Sequence, residues 1–402
     1  MNAFPVKPLD LIPLSAFLDS RAYFQYHFLN NEASKSHRVS FTSPRDQSFP
    51  FLMKRSRSTS RTSSRKRDHV LLSVKRDVAF REKRNGFGDW EFVHNALPEL
   101  DLSDISTETV FLSKPLSIPF MISCMTGGYA DAKKINKQLA EVCEEQRIAM
   151  GVGSQRQAME DSTYHSSFSV AREAAPTIPI VGNIGAAEVA MLKDASPVQK
   201  LAELIQADAF AVHLNPLQEF LQPEGNTNFR GVLRGIEMLV RGLSVPVIVK
   251  EIGAGISHDV ARRLIGVGVS IIDVAGAGGT SWAGVEILRR KSGEANDIFW
   301  DWGIPTSESL RQVVPLKASN RELRIIASGG ITNGLEAAKA IAMGGDLTAT
   351  ARPMLQTLLT SGKKGLIERL GKWRTEFRGS MFLVGASSLP ELQKVSLVRV
   401  RT

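Results

Sequence analysis

Ile118-Pro119-Phe120-Met121-Ile122-Ser123-Cys124-Met125-Thr126-Gly127-Gly128 is the stretch on which the reading of the fold turns. A short apolar run stops at a polar, glycine-rich turn, and a segment of helical period, Ala132 to Gln146, follows it. That is one strand-loop-helix unit. Strand-like runs of the same kind recur at Ile148 to Gly153, Ile178 to Asn183, Ala209 to Asn215, Val245 to Lys250, Val269 to Ala275, Leu323 to Ser328 and Asp346 to Ala351. Helical segments fall between most of them, including Phe229 to Gly242, with Asn228 expected as its N-cap, and Gly334 to Met343. Eight parallel strands with intervening helices predict an α/β fold of the (β/α)8, or TIM-barrel, type. An open doubly wound sheet usually has fewer strands. Pro353 to Leu397 is expected to supply the last barrel helix and extra C-terminal helices.

In such a barrel the chemistry sits at the C-terminal ends of the strands, where loops vary on a rigid frame. Here the runs end in Met125-Thr126-Gly127-Gly128, Ser154-Gln155-Arg156, Asn183-Ile184-Gly185, His213-Leu214-Asn215, Lys250-Glu251, Gly276 to Ser281, Gly329-Gly330 and Ala351-Arg352. Glycine pairs let backbone N–H groups approach a phosphate, although a tight turn alone also explains a single pair. Lys250 ends an apolar strand, so its charge needs an anionic partner: a ligand, or a neighbouring carboxylate such as Glu251.

Working outward, 43% hydrophobic and 23% charged residues describe an ordinary globular chain, and no run approaches the ~20 apolar residues of a membrane span. Cys124 and Cys143 are too few for a disulfide framework or thiolate metal site and read as core fillers in a reducing compartment. The net charge of +9 is concentrated in residues 1–64, which hold nine Lys/Arg against four Asp/Glu and end in an Arg/Ser tract. That leader reads as low-complexity and disordered, with residues 65–402 as the barrel domain. It suits an organelle transit peptide, a start upstream of the true one at Met53, or a functional tail. A nucleic-acid role for the tract is disfavoured because no aromatics are interleaved with it.

Further motifs carry a resemblance. Arg65-Lys66-Arg67-Asp68-His69, His94-Asn95-Ala96-Leu97-Pro98-Glu99, Gly151 to Arg156, His213 to Glu219, Ala277 to Trp282 and Trp302 to Thr306, with the strand ends above, resemble the type 2 isopentenyl diphosphate isomerases from residue 65 to about 385. The resemblance implies a cytoplasmic homo-oligomer, tetramer or octamer, that uses FMN, Mg2+ and NADPH or NADH. Its partners would be isopentenyl and dimethylallyl diphosphate, with no nucleic acid and no membrane. By position, it implies FMN contacts at Met125, Thr126, Gly127, Ser154, Asn183, Lys250, Thr280, Gly329, Gly330, Ala351 and Arg352. It further implies substrate contacts at Arg65, Lys66, Ser154, Gln155, Arg156, His213, Asn215 and Gln218, and a metal at Glu219.

A diphosphate needs several cations, which Arg65, Lys66, Arg156 and His213 would supply. Moving an unactivated double bond needs a proton delivered at one carbon and removed at another. The strand ends offer no obvious carboxylate pair, and the adjacent Gln218 and Glu219 are expected to point apart. The reading therefore leans on reduced FMN as acid and base, with Lys250 balancing its charge and Gln218 orienting or relaying the proton. His69, His94 and His213 lack metal-ligand spacing, and His94 reads as structural. Phe299-Trp300-Asp301-Trp302 is expected either to close over the site or simply to pack. The enzymatic rival is an FMN-dependent 2-hydroxy acid oxidase, disfavoured because strands six to eight end without a histidine.

Overall fold

Strands that are apolar on both faces must be covered on both sides, and a closed barrel within a ring of helices does this without exposing a sheet edge. The computed structural model describes residues 61–290 and 297–400, with side chains from Lys66 onward. Its eight parallel strands are β1 (Phe120–Ile122), β2 (Ala149–Gly151), β3 (Ile180–Gly185), β4 (Ala209–His213), β5 (Val247–Lys250), β6 (Ile271–Asp273), β7 (Arg324–Ser328) and β8 (Leu347–Thr350). Each pairs with its neighbours in sequence, and β8 closes the barrel on β1. All eight expected runs are strands of one barrel.

Met121, Val181, Ala211, Ile248, Ile326 and Leu347 fill the interior. A hairpin of Thr109–Phe111 and Lys114–Leu116, not anticipated from sequence, adds Phe111 and Leu116 to that cluster. Leu116 lies four residues before the start of β1, so the plug lies at the strand N-termini and leaves the opposite rim open.

The helices that shape that rim are α1 (Arg61–Lys75), α2 (Ala132–Gln146), α3 (Pro216–Leu221), α4 (Val232–Gly242), α5 (Trp282–Arg289), α6 (Gly334–Ala342) and α7 (Arg352–Leu383). α2 has the expected bounds, and α6 is capped by Asn333, whose side chain accepts the Glu336 N–H at 2.8 Å. α4 differs. It starts after Gly231, whose φ of 83° interrupts helical geometry, while the Asn228 side chain accepts from the Arg230 N–H in the preceding turn. α1 begins four residues inside the stretch assigned to the leader, whose residues 1–60 lie outside the described ones.

α1 packs on α5 and α7. The chain after it adds an edge to the β6 loop: the Ser281 N–H donates to Val78 O at 2.7 Å, and the Phe80 N–H to Gly279 O at 3.2 Å. Trp300 locks this edge. It is 5% exposed, donates from Nε1 to Ala79 O at 2.9 Å and lies under the Arg81 guanidinium. Of the two roles open to the aromatic segment, Trp300 therefore packs. Trp300→Ala is expected to lower the unfolding free energy by about 3–5 kcal/mol, read by urea denaturation.

Candidate active site

The register of the barrel brings the polar strand ends level. Gly185 pairs with His213, His213 with Lys250, and Lys250 with Asp273, in one row across β3 to β6. Above this row lies a cavity of about 490 Å3 with walls from all eight strand ends and from Lys66 and His69 of α1. Most of the residues expected at the site line it: Lys66, Met125, Gly127, Ser154, Arg156, Asn183, His213, Asn215, Gln218, Glu219, Lys250, Thr280, Gly329, Gly330, Ala351 and Arg352.

Two expected residues stand elsewhere. The Thr126 hydroxyl is turned inward onto the Asn136 side chain, and Gln155, fully buried, donates to Leu201 O at 3.0 Å and accepts from the Asn183 N–H at 3.2 Å. Both brace the loops from behind. Of Arg65 only the helical backbone is described, and its side chain lies outside the described residues.

The Lys250 ammonium, buried at the end of β5, donates to Glu251 O at 2.6 Å and stands 3.7 Å from Asp273 Oδ2. Its carboxylate neighbour is therefore Asp273. The Glu251 carboxylate, the candidate partner by sequence, instead accepts N–H groups of Ile252, Gly253 and Ala254. Burial pushes the Glu251 carboxyl up to about 7 against those donors.

The tally of cations also changes. Arg156 is paired with Glu188 at 2.8 Å and Glu160 at 3.0 Å. Burial, then the charges of Lys250 and Lys66, depress His213 to about 3, so it is neutral at physiological pH rather than a cation. Its Nδ1 stands 2.6 Å from Asn183 Oδ1, which assigns the ring proton to Nδ1 and leaves an Nε2 lone pair. The folded pKa lies below the ordinary 6.5, so the folded chain binds fewer protons. This contribution is complete above pH 6.5 and is lost as pH falls toward 3. Wild type is therefore expected to lose more stability between pH 7 and 5 than His213→Gln, as measured by urea midpoints. Parallel losses would exclude this role for His213.

Gln218 and Glu219, expected to diverge, both face the cavity. Asn215 joins them, donating from Nδ2 to Gln218 Oε1 at 3.3 Å and Glu219 Oε1 at 2.9 Å. The short α3 starts at the end of β4, so two successive side chains both reach inward. Gln218 Nε2 then donates to Glu286 Oε1 at 3.0 Å, and His69 Nε2 lies 2.9 Å from the same oxygen. Burial alone would raise the Glu286 carboxyl, but His69, Arg289 and Gln218 together hold it below the usual range.

Sequence reasoning missed this His69–Glu286–Gln218 chain. A signal existed: Glu286 lies four residues after Trp282, on the inward face of α5.

A family model for FMN-dependent dehydrogenases matches residues 58–167 and 218–399. An isopentenyl-diphosphate delta-isomerase from Chlorobium luteolum is 46% identical over 83% of this chain and 95% of its own. Proteins of the same name from Chlorobaculum parvum and Pseudescherichia vulneris are 44% and 43% identical, covering 84% and 85% of this chain and 97% and 98% of theirs. This chain belongs to the isopentenyl-diphosphate delta-isomerase family. Solved structures of a Pediococcus acidilactici lactate oxidase (TM-score 0.62, 17% identity, 83% of this chain and 91% of that one) and of a flavocytochrome b2 variant (0.60, 18%, 82% of each) share the barrel. At that identity the likeness concerns fold alone.

The cavity of this family member suits a flat, anionic cofactor. It offers a buried ammonium at Lys250, and a glycine floor where Gly329 and Gly330 take φ of 107° and 71°. A Cβ on Gly279 would lie 2.5 Å from Gly330 N, so these glycines also let the β6 and β7 loops touch. Among the described residues no group of three or more His, Cys, Asp or Glu could by itself hold a metal.

Proposed function

We propose that this chain interconverts isopentenyl and dimethylallyl diphosphate, a 1,3-allylic shift without net redox change, using FMN, Mg2+ and a reductant, NADPH or NADH. The observation that carries the reading is one cavity lined by a buried cation, Lys250, and by Gln218, whose amide donates to the buried carboxylate of Glu286, in a chain related to proteins of that name. Reduced FMN, when bound, supplies a ring nitrogen able to exchange a proton with an alkene and an anionic edge that needs a counter-charge.

Lys250 provides that counter-charge, and Gly127, Asn183, Gly329, Gly330 and the backbone at Ala351 form the bed. Gln218 orients: both ends of its amide are already bonded, to Asn215 and Glu286, so its position is fixed. The His69–Glu286 pair is the proton-holding group in contact with it. Glu219 takes Mg2+, which characteristically binds one or two carboxylates and completes its shell with phosphate oxygens and water.

Lys66 is a diphosphate cation in this reading, and its Nζ donates to Ser154 O at 2.6 Å. Lys66→Ala is expected to raise KM for isopentenyl diphosphate about 10- to 100-fold, with FMN affinity unchanged. An unaltered KM would remove Lys66 from the substrate site.

The deciding experiment incubates the full chain with FMN, Mg2+, NADPH and isopentenyl diphosphate in D2O and follows deuterated dimethylallyl diphosphate by NMR. No isomerisation, together with flavin bleaching by lactate or glycolate, would replace this reading with a 2-hydroxy acid oxidase. Gln218→Asn with undiminished kcat would release Gln218 from its orienting role.

A further inference from the structure

Among the described residues, five cationic side chains line the cavity: Lys66, Arg156, Lys250, Arg352 and Arg369. Carbonyl or carboxylate partners are on hand for the first four. Lys66 bonds the Ser154 carbonyl, Arg156 two carboxylates, and Lys250 the Glu251 carbonyl beside Asp273. Arg352 was expected from sequence to hold the cofactor, but its guanidinium is committed to α1: Nε donates to Ser73 O at 2.7 Å and Nη2 to Arg76 O at 3.1 Å. Those carbonyls belong to the C-terminal end of α1, where a cation is favoured. What Arg352 can still offer a ligand is its backbone N–H in the first turn of α7.

Arg369 differs. α7 bends back at Gly362, where φ 66° and ψ −169° leave helical geometry, and this return brings Arg369 from the second arm against the first. Its Nη1 donates to Thr357 Oγ1 at 2.6 Å, while its Nε is buried with no partner among the described residues. A buried guanidinium N–H without an acceptor is costly, and native proteins rarely keep one unless something else fills the gap. Arg369 shares its wall of the cavity with Pro353 and Gln356, next to the β8 end and the glycine floor after β7. The cations and Glu219 that face the diphosphate come instead from α1, β2 and α3.

We propose that Arg369 is the side chain that binds the cofactor's phosphate, with Thr357 orienting it and the Gly330 and Arg352 backbone completing the site. The proposal rests on the FMN reading above. The shared chemistry is a phosphate dianion, and the two possible sources, the cofactor and the substrate, are separated by measuring both.

The test is titration of the full-length apoprotein with FMN and with riboflavin, which lacks the phosphate, followed by quenching of flavin fluorescence. Arg369→Met keeps the aliphatic stem and removes the charge. It is expected to raise the FMN Kd about 10- to 100-fold while leaving the riboflavin Kd within twofold, and Arg369→Lys should recover part of the difference. Equal weakening of both ligands would mean a structural role and overturn the proposal. So would an unchanged FMN Kd, or a raised KM for isopentenyl diphosphate without any change in FMN affinity. Should Arg369→Met not fold, the FMN-to-riboflavin ratio of Arg369→Lys against wild type reads the same quantity. Wild type binding neither flavin would sink the cofactor reading itself, an outcome distinct from wild type and variant binding FMN equally.

Discussion

Lys250→Met is expected to lower isomerisation about 100- to 1,000-fold and to weaken FMN binding. The ammonium lies at the level of His213 and Asp273 in the barrel register, buried, in a cavity where a charge is screened poorly. Its removal leaves Asp273, fully buried, without its cation. Burial already raises the Asp273 carboxyl and Lys250 opposes that rise, so the variant favours a protonated Asp273. The same change relieves one of the two cations that depress His213. Three readouts should therefore move together: kcat, the FMN Kd and the acid limb of stability. A variant that keeps FMN affinity and kcat within threefold would show that Lys250 serves only the ion pair with Asp273.

The second large effect is expected at Glu286. Glu286→Gln preserves shape but substitutes an amide for the carboxylate that joins Gln218, His69 and Arg289. Proton-transfer groups typically contribute 100- to 10,000-fold, so kcat should fall by that order while KM for the diphosphate changes little. Arg289 retains Glu224 at 2.8 Å, which limits the stability loss. A purely packing role would lower the melting temperature and leave the pH profile of kcat in place. Loss of the limb that reports Glu286, with a normal visible spectrum of bound FMN, is the result expected of a proton-holding group. Activity within threefold of wild type would remove Glu286 from the reaction.

Some expected side chains are engaged by other parts of the chain for a shared reason. Arg352, Gln155 and Thr126 follow strand ends just as Lys250 does, yet a guanidinium can reach a neighbouring helix and a short side chain can turn behind its loop. Glu286 and Arg369 escaped notice because each lies on a helix, far in sequence from the strand end it serves. Only the close approach of α5 to α3, and the fold-back of α7 at Gly362, give them neighbours.

The sequence by itself determined the barrel, because eight apolar runs separated by helical periods leave few ways to bury both faces of a parallel sheet. It also determined which rim carries the site, since the polar residues follow the strands rather than precede them. Tertiary structure alone decided protonation and partnership. It made His213 neutral, gave Lys250 to Asp273, tied Arg352 to α1 and linked Gln218 to Glu286. These depend on burial and on distances of a few ångströms between side chains remote in sequence, to which the local pattern of residues is blind.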